Sequence, residues 1–234
     1  MSKIMHNEEL YNFLMYSVFG IVDEDENLDK KIKCAHRAYR DLARTLRYKY
    51  SSSELKHAKK DPDVAKFKKD RDSWVKEICE ELINSIEGFP KDGDFNQWHK
   101  DKCCELIKKT KGKDLFKEGH SFTWGHAQKW LNMTLKYLWL MDLLPEEISP
   151  RSLHVPIDSY ILDALKEKPL FEGSIKASKY NGQAWSAMSE DNYKQLQSEI
   201  RAMPKEENES PIEWEGRVWI KMANKGNSNK SNSK

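Results

Sequence analysis

Apolar residues recur every three or four positions along most of this chain, the spacing of amphipathic helices, and no βαβ alternation interrupts them. Asn7 is placed to cap a first helix through Phe19, with Glu8 and Glu9 in the turn where negative charge is favourable. A second helix is predicted from about Leu28 to Tyr50, with Ile32, Ala35, Tyr39, Leu42, Ala43, Leu46 and Tyr50 on one face. A third covers roughly Val64 to Ile86, its Phe67, Trp74, Ile78 and Leu82 facing inward. After the turn Gly88-Phe-Pro-Lys-Asp-Gly93, Asp94-Phe-Asn-Gln97 has the pattern of a capping box and predicts a helix to about Thr110. Thr123 is placed to cap a further helix that runs towards Met141. Ser210-Pro-Ile-Glu213 carries a fuller start signal, with Ser at the cap, Pro at the first helical position and Glu three residues on. The pattern predicts an all-α protein of eight or nine helices. Residues 1–222 are read as one domain, with room for two lobes, and the polar, low-complexity 223–234 as a disordered tail.

Composition narrows the class. The 234 residues contain no apolar run of about 18 or more, so no membrane span is expected. No basic, apolar and small-residue sequence of a secretory signal is visible at the start, so a cytoplasmic location is expected. Cys34, Cys79, Cys103 and Cys104 form no CxxC pair and read as reduced thiols within helices. His120, His126 and His154 lack i, i+4 spacing on one helix, so neither a metal site nor another cofactor is expected. No glycine-rich phosphate loop and no Gly-x-Ser-x-Gly nucleophile motif occurs.

The net charge of +2 hides an asymmetry. Between Lys30 and Lys76 there are 16 Lys and Arg against 6 Asp and Glu, while the rest of the chain is net acidic. Arg37, Arg40, Arg44 and Arg47 fall in steps of three and four, the arrangement of a basic face that could meet backbone phosphate.

One segment stands apart chemically. The helix after Phe122 is apolar nearly all round, the mark of a buried helix, yet Lys129, Asn132 and Lys136 recur along it at i, i+3 and i+7. A buried lysine is costly unless it is paired or used. Downstream, Asp158 lies two residues past Pro156 where another helix is expected to begin.

Val155-Pro-Ile-Asp158-Ser-Tyr-Ile-Leu resembles the Val-Pro-Val-Asp-x-x-Val segment of the helix-hairpin-helix DNA glycosylase superfamily. It is most similar to the archaeal 8-oxoguanine glycosylase branch, and the likeness covers about residues 123–162. The order is shared: a helix with a lysine near its start, a connection, then Pro-x-Asp. The Gly-x-Gly hairpin before the lysine is absent, and only Gly125 remains of it. The resemblance implies base excision with Lys129 as Schiff-base nucleophile and Asp158 as the carboxylate that stabilises charge on the sugar. It implies an extruded base near Trp124, Gln128, Asn132 and Lys136, with Trp139, Trp185 and His120 as further walls, and DNA as the partner.

Plainer accounts fit the same residues. Asp158 could simply cap its helix and Lys129 could snorkel to solvent, with the tryptophans in the core. The alternative function is a non-enzymatic helical module that binds nucleic acid or protein through the basic 30–76 face; a glycosylase scaffold that has lost catalysis is a third.

Overall fold

The computed structural model describes residues 8–56, 61–166, 184–203, 206 and 208–231, the last six of these as backbone only. Among the described residues there are nine α-helices and no β-strand, as the hydrophobic spacing predicts. The predicted cap at Asn7 lies outside them. The chain divides into two compact units.

The first unit comprises Met1–Gly93, Thr110–Ser121 and Met133–Glu147. It contains α1 (Glu8–Phe19), α2 (Asn27–Ala43), α3 (Ser52–Lys56) and α4 (Pro62–Glu87). Asp61 starts α4 by accepting the backbone N–H groups of Asp63 and Val64, and Pro62 follows at the first helical position, where its missing N–H costs nothing. The core forms where α2 packs along α4: Cys34, Ala35, Ala38 and Leu42 are buried, as are Trp74, Ile78, Cys79, Leu82, Ile83 and Ile86. Each large apolar side chain so buried contributes about 1.5–3 kcal/mol before the entropy of ordering it is counted.

Helix α2 ends at Ala43, seven residues short of the predicted Tyr50. The reason is non-local. Tyr48 forms an isolated antiparallel bridge with Phe116, stacks on its ring at 5.5 Å, and shares a 2.8 Å hydrogen bond with the Tyr39 hydroxyl. Those contacts require the chain to leave the helix, although the apolar spacing continues past Ala43.

The second unit comprises Asp94–Lys109, Phe122–Asn132 and Ile148–Lys234. It holds α5 (Phe95–Thr110), α6 (Trp124–Leu140) as far as Asn132, α7 (Ser159–Lys166), α8 (Glu190–Ala202) and α9 (Pro211–Ser231). Short 3₁₀ turns cover Pro150–Ser152 and Trp185–Ala187. Asp94 caps α5 as expected, accepting from the N–H groups of Asn96 and Gln97. The box is incomplete, because the Gln97 amide donates forward to Asp101 at 3.0 Å. Ser210 and Glu213 form the full reciprocal box at the start of α9. Helical backbone in α9 runs on to Ser231, beyond the Ala223 boundary at which composition placed a disordered tail. Once α9 is anchored, each further residue adds a hydrogen bond without a new nucleation cost, so polar composition alone is a poor guide to where it ends.

Thr123 caps α6 through its hydroxyl, which accepts the His126 N–H and donates to the Ser186 carbonyl. At this end of α6 the backbone of Trp185 and Ser186 lies directly over Gly125, so that a Cβ there would overlap the Trp185 carbonyl oxygen. Gly125 is therefore a packing glycine inside a helix and does not present a hairpin N–H to phosphate.

Gly125→Ala is expected to destabilise the protein by about 1–3 kcal/mol, the usual cost of forcing an atom into a filled space. A thermal melt with no loss of Tm, or a gain from the better helix former, would show that the contact is not made.

Candidate active site

Between the Pro150–Ser152 turn and α7, the chain runs extended and buried through Val155, Pro156 and Ile157. Backbone polar groups there need partners, and no strand lies alongside among the described residues. Two glutamine side chains supply them. Val155 donates its N–H to Gln197 Oε1 at 3.0 Å and accepts from Gln197 Nε2 at 2.6 Å. Ile157 donates to Gln128 Oε1 at 3.2 Å and accepts from Gln128 Nε2 at 2.9 Å. Each primary amide thus takes the place of a neighbouring strand residue. Pro156, between them, has no N–H to satisfy.

This clamped segment delivers Asp158 to the start of α7. Its Oδ1 accepts the Ile161 N–H at 3.1 Å, the bond of an N-cap. Its Oδ2 accepts from Lys129 Nζ at 2.8 Å and from the Trp219 indole N–H at 3.0 Å. The lysine and aspartate side chains are only 6% and 13% exposed, so this is a desolvated ion pair and not a surface bridge. Burial pushes the Asp158 carboxyl up, but the Lys129 ammonium, the Ile161 N–H and the Trp219 N–H outweigh burial and hold it below the ordinary carboxylate range. Removing one partner from such a pair typically costs about 3–5 kcal/mol, because the other charge is left buried alone.

A second polar cluster adjoins α6. Asn132 donates to the Tyr193 hydroxyl at 2.8 Å and its Oδ1 lies 2.7 Å from His99 Nε2. Tyr193 Oη is also 2.8 Å from His154 Nδ1, and His154 Nε2 is 2.7 Å from Asn96 Oδ1. One assignment of protons satisfies the whole chain: both imidazoles are neutral and protonated at Nε2, each donates to an asparagine oxygen, and the tyrosine donates to His154. Burial brings His99 down to about 4 and places His154 well below its usual value. The cluster borders a cavity of about 300 Å³ whose walls include Trp124, Tyr193, His99 and His154.

The structure therefore brings Lys129 and Asp158 together across 29 positions of sequence. Gln128 and Asn132 lie beside them, but their amides are taken up within the fold, Gln128 also donating to Gly125 and accepting from Asn132. Trp124 is buried and lines the cavity described above, which neither Lys129 nor Asp158 borders. Trp185 is half-buried and meets His126 edge-on at 5.9 Å. Lys136 and Trp139 on the later turns of α6, and exposed His120, belong to the first unit.

The basic stretch is partly neutralised within that unit. Lys31 pairs with Glu87, Lys33 with Asp25, Arg37 with Asp41, and both Lys68 and Arg71 with Asp72. Arg40, Arg44 and Arg47 are exposed, but α2 stops at Ala43, so the four arginines do not share one helix face. Tyr48 and Tyr50, which follow those arginines in sequence, meet the Phe67 ring edge-on at 6.1 and 5.1 Å.

Trp219, Gln197, Tyr193 and His99 are the site's residues that sequence reasoning missed. Each acts on a partner 33 or more positions away, and only the cap at Ser210 gave local notice that a helix bearing Trp219 would follow. Comparison of the chain with protein-family models, with curated proteins and with solved structures finds no match. No helix among the described residues is long and apolar enough to cross a membrane.

The neutral histidines make acid a denaturant before the carboxylates titrate. A folded-state value of about 4 against 6.5 for a free imidazole means that the unfolded chain takes up the proton first. Stability should therefore fall as pH drops from about 6.5 towards 4, by on the order of 3 kcal/mol for His99 alone. His126, also brought down to about 4 by burial, adds to the same window. Urea titrations at pH 7, 6, 5 and 4.5 check this, with His99→Gln expected to show a shallower slope; a flat profile would mean that the imidazoles take up protons as readily in the fold as in the unfolded chain.

Proposed function

We propose that the protein is a DNA glycosylase with associated lyase activity, acting on a modified or damaged base through Lys129 and Asp158. The observation that supports this reading most is the 2.8 Å contact between a lysine from a buried helix and a carboxylate at a helix start. Rupture of an N-glycosidic bond develops positive charge on the sugar, and an ionised carboxylate near C1′ lowers the energy of that state. Three donors from three different helices keep Asp158 ionised for this role.

As the bond from C1′ to the base breaks, the base leaves with the electron pair. The sugar's positive charge then competes with the Lys129 ammonium for Asp158. The departing base takes a proton from that ammonium, and the freed amine forms a bond to C1′. A second proton passes from the nitrogen to the ring oxygen as the bond from C1′ to that oxygen breaks with its electron pair, and the nitrogen lone pair completes a protonated imine. Borohydride reduces that imine to a stable secondary amine. Extrusion of the base from the stack, a few kcal/mol, is least costly for a damaged or mismatched base, which gives a first level of selectivity.

Borohydride trapping on duplex oligonucleotides carrying a panel of modified bases tests the reading. Wild-type protein should form a covalent adduct with at least one of them. Lys129→Gln should abolish the adduct, and Asp158→Asn should slow base release about 10²–10³-fold. Because either change unpairs a buried charge, the charge-neutral double variant Lys129→Gln/Asp158→Asn serves as the folded control. Abasic sites without trapping would keep Asp158 and remove Lys129 from the chemistry. Salt-sensitive DNA binding with no product from any substrate would overturn the enzymatic reading in favour of a helical binding module.

A further inference from the structure

Trp219 presents its side chain in an unusual sense. An indole at a protein surface ordinarily buries its ring and turns its N–H to water. Here Trp219 is 36% exposed, while its N–H points inward to Asp158 Oδ2 at 3.0 Å. Tyr160 meets the ring edge-on, with centroids 5.0 Å apart at 79°, and so fixes its plane. The donor comes from a rigid source, since α9 packs along α7 and its first turn is locked by the Ser210–Glu213 box.

Oδ2 thereby carries two donors, Lys129 and Trp219, while Oδ1 carries one, the Ile161 N–H. The double occupancy matters once chemistry begins. When Lys129 moves to another atom, a carboxylate held only by the lysine and the cap would have an empty oxygen in a largely dry site, a costly state. With the indole in place, each oxygen keeps one hydrogen bond and the carboxylate plane keeps its aim.

We propose that Trp219 is a positioning residue for Asp158: its indole N–H holds Oδ2 in place while Lys129 leaves that oxygen to act on substrate. This rests on the glycosylase reading for the act of leaving, but the hold on the carboxylate is a property of the free protein. Trp219 itself touches no reacting atom in this scheme.

The test separates those two levels. Carboxyl-carbon NMR titration of the full chain follows Asp158 in the wild type and in Trp219→Phe, which keeps a ring against Tyr160 and removes the donor. The midpoint of Asp158 should rise by about one unit in Trp219→Phe, a tenfold change in proton affinity. The acid limb of base release should move up with it while the alkaline limb stays in place. An unchanged midpoint in a folded Trp219→Phe protein would overturn the proposal and leave Trp219 a packing residue. A shifted midpoint in a protein that releases no base would uphold Trp219 as the positioning donor and overturn the glycosylase reading alone.

Discussion

A lysine ammonium that water barely reaches has to meet a carboxylate in the fold, and in this protein that requirement organises the second unit. Lys129 sits where every residue of α6 from Trp124 to Leu135 is buried. Its partner can come only from elsewhere in the sequence, so the extended segment, the start of α7 and the middle of α9 are all placed by reference to Asp158. The cost of desolvating two charges is offset by their mutual attraction and by the two further donors on the carboxylate. Replacing a buried ion pair by a hydrophobic pair of similar volume is often neutral or stabilising. That the chain retains the ions is the physical ground for looking to chemistry there.

Gln128, Lys129 and Asn132, three of the buried polar residues on this stretch of α6, divide the work. Gln128 and Asn132 are saturated by hydrogen bonds within the fold, and they align the helix with its surroundings. Lys129, by contrast, directs its ammonium to a single carboxylate oxygen at another helix start. Its neighbours at i−1 and i+3 leave it little freedom to shift, because any rotation of α6 breaks the Gln128 clamp and the Asn132 cluster together. A side chain mounted on a rigid helix and braced in this way is held in a fixed geometry, which the proposed chemistry requires.

What could be read from the sequence was whatever is encoded locally. Asp94, Thr123, Asp158 and Ser210 announce their helices because a cap needs only its own next turn. The burial of α6 followed from apolar residues on all its faces. The meeting of Lys129 with Asp158 was legible only through the resemblance, since nothing in a 29-residue separation says that two side chains touch. The end of α2 was misread because the apolar spacing runs on through Leu46 and Tyr50, while the contact that turns the chain is with Phe116, far away in sequence. Gln97 looked like the second half of a capping box until Asp101, one turn ahead, competed for it. The cap at Ser210 announced the helix that bears Trp219 but not its contact with Asp158, because a partly exposed indole donor on a helix looks like any other surface tryptophan.

The glutamine pairing of Val155 and Ile157 carries a consequence of its own. An isolated extended segment in a helical protein would normally be a hazard, since its free N–H and C=O groups invite another chain to add as a strand. Gln197 and Gln128 close off both residues from within, and each comes from a helix that is already committed to the core. Val155 to Ile157 is, in effect, a strand whose sheet consists of side chains. Such a sheet cannot grow, because a side-chain amide ends in two hydrogen-bonding atoms and has no backbone to pass the ladder on.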